Sequence, residues 1–311
     1  MIFSVYVPLL ASLLLAVISR PLVSRLSPRT AARALVLACG LSAASFTWGM
    51  LLLALTLLRQ AAPVTERAAP GALAAGQPVP ALVAAAATAA LAVGVYRFVV
   101  VVRSRRGTQH ALQALCDRSA GQELVVVAAA EPHALAVPGR TGRPWRSGQP
   151  AFPGRILVTS GMLSALDGEE RRVMLEHERA HLRQGHSWQQ GVVDAAAAVN
   201  PLLRPARDSV AFLLERSADE AAAEAVADRL LTARSLARAA LAGTSAQRQS
   251  SLAFHQLGVP ARVAALAVAP PPARWSLAAG VVAVGLLTTV AAVDATVGFI
   301  ALARQLWPVD L

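Results

Sequence analysis

Four long apolar stretches constrain this chain more than any other feature of its sequence. They cover residues 3–19, 34–58, 81–102 and 275–301, approximately. A helix of about 20 apolar residues is long enough to cross the hydrocarbon core of a bilayer. The composition agrees, since 55% of the residues are hydrophobic and only 15% are charged. The sequence therefore predicts an integral membrane protein with four transmembrane helices.

The arginines between these stretches predict the orientation of the chain. Four of them separate the first stretch from the second, and three more follow the third, namely Arg20, Arg25, Arg29, Arg33, Arg103, Arg105 and Arg106. Residues 59–80, in contrast, contain only Arg59 and Arg67. Because basic residues near membrane ends stay on the cytoplasmic side, we expect the amino terminus outside and residues 103–274 in the cytoplasm. A signal peptide is the alternative for the first stretch, but no arginine precedes it, which favours a retained helix.

This orientation divides the chain into three predicted parts. Residues 1–102 hold three transmembrane helices, residues 103–274 form a cytoplasmic domain, and residues 275–311 form the fourth helix and a short outer tail. The cytoplasmic part has 21 arginines and 15 acidic residues, scattered among one another. Nucleic-acid binding would instead require clustered basic residues, so a nucleic-acid partner is not expected. Membrane lipid is an expected partner.

Residue types that are rare or missing exclude several chemistries. All 29 basic residues are arginine, and the sequence has no lysine, which excludes a catalytic lysine. Cys39 and Cys116 are the only cysteines. Two cysteines offer neither a disulfide framework nor a cysteine zinc cluster.

The cytoplasmic part begins with a predicted small sheet. Strands are expected over residues 123–129, 133–137 and 155–159, which are rich in apolar residues. Residues 138–154 contain four prolines and four glycines and are therefore expected to form a loop. The fold class is thus α+β and mostly helical.

A helix with metal-binding spacing is expected after the sheet. Asp167 followed by Glu170 is a capping-box pattern, and Gly185 marks a helix end. Within this helix the sequence His177-Glu178-Arg179-Ala180-His181 places two imidazoles on one face, where they can bind a single zinc ion. Glu178 is offset from the metal and can contact the attacking water. Two ordinary surface histidines are the alternative.

A second predicted helix supplies further ligands. It begins near Asp208 and carries Glu215 and Asp219 on one face, four residues apart. A catalytic zinc site usually has three protein ligands, so Glu215 could be the third, while Asp219 could accept a hydrogen bond from a ligand imidazole. A solvated acidic pair is the alternative.

Together these motifs resemble the BlaR/MecR-type integral-membrane zinc metallopeptidases, and the related HtpX-like membrane proteases. The resemblance rests on residues 177–181, on Glu215 with Asp219, and on the run Gly154-Arg155-Ile156-Leu157-Val158-Thr159-Ser160-Gly161-Met162-Leu163. It covers residues 124–228 by motif and the whole chain by its order of helices. It implies a gluzincin-type, zincin-like domain with one Zn²⁺ bound by His177, His181 and Glu215, with Glu178 as the catalytic base. It also implies a cytoplasmic catalytic domain and a transcriptional repressor as substrate in a signal-transduction role.

Two features depart from that family. Antibiotic-sensing members have an extracellular penicillin-binding domain with a Ser-x-x-Lys nucleophile, and this sequence contains no lysine. Direct sensing of a β-lactam by acylation is therefore not expected. The loop over residues 138–154 is also longer than the family's usual connection.

The expected reaction is peptide-bond hydrolysis, which requires a place for the peptide and a donor for the oxyanion. An exposed edge strand over residues 155–159 could hold the peptide, but a buried core strand is an equally good interpretation of Arg155, Ile156, Leu157, Val158 and Thr159. The candidate oxyanion donors are His186, Arg216, His255 and Arg262.

Three hypotheses about function follow from these motifs. The first is a membrane zinc endopeptidase that cleaves a cytoplasmic or membrane-proximal protein. An HtpX-like quality-control protease and a non-catalytic, zinc-stabilised membrane sensor or scaffold are the alternatives. A transporter ranks below all three, because the apolar stretches lack paired charges.

Overall fold

The apolar stretches of the sequence form long helices. In the computed structural model, which describes residue 4 and residues 6–61, 80–117, 122–139, 154–247 and 253–306, they are α1 (Val7–Arg25), α2 (Pro28–Ala61), α3 (Ala81–Asp117) and α10 (Trp275–Leu306). Each contains a segment that is long and apolar enough to cross a membrane. The prediction of four spans is confirmed by length and composition, while the side on which each end lies stays a prediction.

These helices are longer than the apolar stretches that predicted them. Only Leu26 and Ser27 separate α1 from α2, so the arginines expected in a loop lie on helix ends. Arginine is a good helix former, and Pro28 is acceptable in the first turn of a helix, where its missing N–H group is not needed. Likewise, α3 continues through Arg103, Arg105 and Arg106 to Asp117. The helices therefore carry basic residues beyond their apolar segments.

The small sheet has the three predicted strands. They are β1 (Leu124–Val127), β2 (Ala134–Val137) and β3 (Arg155–Thr159), arranged in the order β1-β3-β2. β1 pairs with β3 in parallel, and β2 pairs with β3 antiparallel. Of the loop predicted between β2 and β3, residues 140–153 lie outside the described residues.

The edge-strand interpretation of β3 is wrong. β3 is the central strand, and all five of its residues are buried, so both of its backbone edges are already paired. A short apolar run has the same sequence whether it lies in the centre or at the edge of a sheet. A peptide cannot be added to Arg155–Thr159, and the core-strand interpretation is correct.

Between the sheet and α10, the described residues form six further helices. They are α4 (Ser160–Ala165), α5 (Gly168–Gln184), α6 (His186–Val199), α7 (Arg204–Val226), α8 (Arg229–Gln247) and α9 (Ala253–Leu266), with a 3-10 turn at Pro201–Leu203 between α6 and α7. α7 begins at Arg204, four residues before the predicted start, because Pro205 occupies its first turn instead of interrupting it.

Apolar helices and later helices share one hydrophobic core. Its buried members come from α1, α2, α6, α7 and α10, for example Leu15, Leu35, Val193, Leu213 and Val281. A polar contact crosses the same region. The buried Asn200 amide donates a hydrogen bond of 2.8 Å to Ser12 Oγ of α1, and Ser12 in turn donates to the carbonyl of Pro8. The helices that follow the sheet are therefore held directly against the apolar helices. The predicted domain boundaries stay a prediction.

Candidate metal centre

The helix α5 has the start and the end that its sequence predicts. The Asp167 carboxylate accepts a hydrogen bond from the Glu170 N–H, and the Glu170 carboxylate accepts one from the Asp167 N–H. Gly185 ends the helix in the left-handed conformation, with φ of 66°, which glycine adopts without strain. Between these ends, residues at i and i+4 lie on the same face. This local geometry brings His177 and His181 together.

Three donor atoms from two helices converge at one point. His177 Nε2 lies 3.1 Å from His181 Nε2. Glu215 of α7 places one carboxylate oxygen 3.5 Å from His177 Nε2 and the other 3.6 Å from His181 Nε2. Tetrahedral zinc with bonds of about 2.0–2.1 Å separates its donors by about 3.4 Å. The spacing of these three side chains therefore suits zinc, and they could hold one metal ion.

Two buried groups hold these donors in place. Asp219 Oδ1 lies 3.0 Å from His177 Nδ1, the ring nitrogen that points away from the other donors. Arg262 of α9 donates two hydrogen bonds of 2.7 Å to Asp219, and its third nitrogen lies 3.0 Å from Glu215. Metal-binding imidazoles commonly pair their second nitrogen with a carboxylate in this way. The predicted contact between Asp219 and an imidazole is thus present.

The charges at this centre favour a cation. Burial would raise the pKa of Glu215, but the hydrogen bond to His177 and the positive charge of Arg262 hold it well below its ordinary range. Burial likewise opposes ionisation of Asp219, and again Arg262 and His177 keep the pKa of this carboxyl low. For His177, burial would lower the pKa, but both carboxylates outweigh it and raise the value to about 10. The two ionised carboxylates therefore attract positive charge to the imidazole face.

Glu178 lies beside the donors without joining them. Its side chain is 9% exposed and accepts a hydrogen bond from the backbone N–H of Ala136 in β2. Burial raises the pKa of its carboxyl above the ordinary value. A raised pKa suits a carboxylate that takes and returns a proton near neutral pH. This position agrees with the predicted role of Glu178 as a base.

Among the described strands, β2 has one backbone edge that pairs with no other strand. The His133 carbonyl accepts a hydrogen bond from Thr159 of β3, so alternate residues of β2 face β3. Ala134 and Ala136 then face the other way, which is consistent with the Ala136 N–H reaching Glu178. Within the described part of the chain, no other strand pairs with this edge.

A cavity of about 610 Å³ extends from the donors between α5, α8 and α9. Its walls are largely apolar and include Met162, Met174, Leu236, Ala239 and Val263. On the same walls, the Thr232 hydroxyl donates to the carbonyl of Asp228, just before α8, and the Ser235 hydroxyl donates to the carbonyl of Leu231 within α8. Both hydroxyls are therefore already engaged by backbone acceptors. The space next to the donors is therefore shaped for apolar groups.

The predicted oxyanion donors whose side chains are described make other contacts. Arg262 is engaged by Asp219 and Glu215, and Arg216 contacts Glu220 and the Val23 carbonyl. His186 lies against His181 on the side away from the other donors. The His255 side chain lies outside the described residues. Arg262 instead positions two carboxylates, a role that no local pattern indicated because α9 lies far along the chain from α7.

Comparison with known families agrees with this geometry. Residues 141–200 match the family model of Peptidase family M48. The match supports the M48 zinc metallopeptidase family, and it contains His177, Glu178 and His181. Glu215 and Asp219 follow the segment that matches M48, so their assignment rests on the distances above. The BlaR/MecR-type and HtpX-like resemblances are compatible with the M48 match but finer than it. The comparisons with curated proteins and with solved structures give no match.

Proposed function

We propose that this chain is a membrane-embedded zinc endopeptidase. The M48 match supports a metallopeptidase that hydrolyses protein or peptide substrates. The observation that carries the proposal is the convergence of His177, His181 and Glu215 at zinc-like spacing, with Glu178 next to them. One Zn²⁺ per chain would be held by these three side chains, leaving a fourth position open for the reaction.

In the proposed reaction the metal would activate the carbonyl and the water, and Glu178 would transfer the proton. Zinc bound at this centre would polarise the scissile carbonyl and lower the pKa of the attacking water to about 7. The Glu178 carboxylate takes the proton that the water loses on attack. The same carboxyl then delivers that proton to the amine nitrogen of the leaving group. Asp219 and Arg262 keep His177 and Glu215 oriented throughout.

The edge of β2 is the proposed binding place for the peptide. An extended peptide can add to an open strand edge through backbone hydrogen bonds. Because the Ala136 N–H contacts Glu178, a peptide along Ala134 and Ala136 would run past the base. In this proposal β2 takes the peptide-binding role that the sequence suggested for β3.

The cavity beside the donors supports a preference for apolar substrate residues. A side chain projecting from a peptide on β2 would enter a space walled by Met162, Met174 and Val263. Burying apolar surface there contributes roughly 25 cal/mol per Å². We therefore expect cleavage next to bulky apolar residues, as found in membrane-proximal segments of proteins.

The cellular setting of the proposal rests on the apolar helices and the arginine bias. Four helices suit a membrane, and basic residues favour a cytoplasmic site with the amino terminus outside. The substrate would be a cytoplasmic or membrane-proximal protein, and a transcriptional repressor is the substrate that the BlaR/MecR-type resemblance favours. A quality-control protease would instead cleave many unfolded proteins.

The proposal is tested on the full chain purified in detergent. We expect about one zinc ion per chain and hydrolysis of a fluorogenic apolar peptide. Glu178→Gln should retain zinc and lose activity by at least about 100-fold, because the base contributes roughly 10²–10⁴-fold. Glu169→Gln, at an exposed position of the same helix, is the matched control and should behave like the native chain.

Two results would contradict the proposal. Equal activity in the native chain and Glu178→Gln would remove Glu178 from the mechanism. Bound zinc with no hydrolysis in any variant would favour the zinc-stabilised scaffold instead.

A further inference from the structure

His186 is a buried histidine to which the proposed reaction gives no role. It is the first residue of α6, directly after Gly185, and only 3% of it is exposed. Its Nδ1 lies 2.9 Å from Nδ1 of His181, the ring nitrogen that points away from Glu215 and His177. A contact between two imidazole nitrogens is a hydrogen bond only if one carries hydrogen and the other does not.

The next contacts decide which nitrogen carries the hydrogen. His186 Nε2 lies 3.3 Å from Oε1 of Gln184, and the Ser217 hydroxyl donates to the same oxygen at 2.7 Å. An amide oxygen only accepts hydrogen bonds, so His186 must donate to it from Nε2. A neutral imidazole that carries hydrogen on Nε2 has a lone pair on Nδ1. His181 must then donate from its own Nδ1.

This arrangement of hydrogens leaves Nε2 of His181 free to bind the metal. With hydrogen on Nδ1, a neutral His181 has its lone pair on Nε2, the atom that lies 3.1 Å from His177 Nε2 and 3.6 Å from Glu215. The opposite tautomer would direct a hydrogen at the metal position. The hydrogen-bond chain from Ser217 through Gln184 and His186 therefore selects one of the two neutral tautomers of His181.

We propose that His186 is a positioning residue that holds His181 in the tautomer and ring orientation required for binding zinc. The inference rests on the proposed function only in taking zinc as the metal at this centre. The positioning role of His186 also accounts for a difference between His177 and His181, whose Nδ1 atoms have different partners. His177 is oriented by the carboxylate of Asp219, whereas His181 is oriented by an uncharged imidazole. The centre thus gains orientation at His181 without a further buried negative charge.

The test compares the zinc affinity of three full-length chains in detergent, measured by competition with a chromophoric chelator. His186→Phe fills a similar volume but has no acceptor, and we expect it to weaken zinc binding by about 10- to 100-fold. His186→Asn has an amide oxygen near the position of Nδ1, which can accept the hydrogen of His181. We expect this variant to recover most of the lost affinity, which a purely space-filling role would not produce.

A second variant covers the case in which His186→Phe fails to fold. Gln184→Met, at a half-buried position, removes the acceptor for His186 and should weaken zinc binding in the same direction. Gln190→Met, which removes a hydrogen bond to Asp194 on α6, should leave the affinity unchanged. In ¹⁵N-histidine spectra of the zinc-loaded chain, we also expect one imidazole, lost in His186→Asn, to carry hydrogen on Nε2.

The outcomes separate this inference from the proposed function. If the native chain binds zinc and His186→Phe binds it equally well, the positioning role of His186 is refuted and the peptidase proposal stands. Equal weakening in His186→Phe and His186→Asn would also refute it, because packing alone would then explain the loss. If the native chain binds no zinc, both proposals fail.

Discussion

Arg262 binds Asp219 through two parallel hydrogen bonds of 2.7 Å, and both side chains are more than nine-tenths buried. The paired geometry of guanidinium and carboxylate gives strength and a fixed orientation. Because Asp219 in turn contacts His177, this ion pair connects α9 to the face of α5 that carries the two imidazoles. The centre is therefore completed by a helix that contributes no donor atom of its own.

Replacing this arginine should lower the stability of the metal-free protein and increase the stabilisation that added zinc gives. Arg262→Met leaves the buried Asp219 and the half-buried Glu215 without the guanidinium that contacts them, and breaking a buried pair in this way costs about 3–5 kcal/mol. Zinc would return positive charge to the same carboxylates. We therefore expect a lower Tm without metal, and a larger rise in Tm on adding zinc than in the native chain.

Thermal unfolding with and without a chelator measures both effects. Arg207→Met is the control, because Arg207 forms a more exposed pair with Asp208 that should contribute less than about 1 kcal/mol. An equal zinc-induced rise in Tm for Arg262→Met and the native chain would show that Arg262 does not balance the charge of this centre.

Filling the apolar cavity should change substrate preference more than overall activity. Ala239→Phe adds a ring to the cavity wall, so peptides with a bulky residue next to the cleaved bond should lose kcat/KM by about 10-fold or more. Matched peptides with alanine there should be affected less. The measurement is the ratio of kcat/KM for the two peptides. Leu230→Phe, at an exposed position of the same helix, should leave that ratio unchanged. A parallel loss for both peptides would place the bulky residue elsewhere.

Close packing between α2 and α10 should make one glycine of α10 irreplaceable. A Cβ atom on Gly285 would lie 2.8 Å from the Ala38 Cα of α2, and this backbone atom cannot move aside cheaply. Small residues allow such close approach between helices in membranes. Gly285→Ala should therefore destabilise the protein by about 1–3 kcal/mol.

The same helix provides the control for this substitution. A Cβ atom on Gly280 meets nothing within 4 Å, so Gly280→Ala should be neutral or stabilise the helix by about 0.5–1 kcal/mol. Thermal unfolding in detergent compares the two variants. A Gly285→Ala protein as stable as Gly280→Ala would contradict the packing of α10 against α2.

One ion pair between α5 and the start of the sheet should lose its effect in acid. Arg179 donates hydrogen bonds of 2.8 and 3.2 Å to Glu123, and they lower the pKa of this carboxyl. A lowered pKa in the folded state stabilises the protein above the ordinary value of about 4.3, and the gain disappears as pH falls through the lowered pKa. Because both side chains are substantially exposed, the gain should be at most about 1 kcal/mol.

Glu123→Gln tests this expectation in the metal-free chain. The native chain should be slightly more stable than the variant at pH 7, and the difference should disappear as the pH falls through the lowered pKa of Glu123. A difference that grows on acidification would mean that the pair does not stabilise the folded state.

Local patterns predicted those parts of the fold that depend on neighbouring residues. The apolar stretches form α1, α2, α3 and α10, since hydropathy and length depend on the segment alone. The ends of α5 follow from the capping box at Asp167 and from Gly185. The shared face of His177 and His181 follows from helical spacing, without reference to the rest of the chain.

Contacts between distant segments could not be predicted in the same way. The central position of β3 depends on pairing with both β1 and β2, and a run of apolar residues does not encode which neighbours it will have. The pair of Arg262 with Asp219 joins side chains 43 residues apart on separate helices. His186 directly follows the helix end, yet its role depends on the turn at Gly185 and on Ser217 of α7.

The sequence by itself determined the apolar helices and the metal-binding motif on one helical face, because both arise from short-range periodicity. Only the tertiary structure decided that Glu215 comes within 3.6 Å of both imidazoles, that Arg262 and His186 orient the donors, and that β2, among the described strands, has the open edge. These features depend on how helices and strands pack against one another, since packing brings together side chains whose separation along the chain carries no signal.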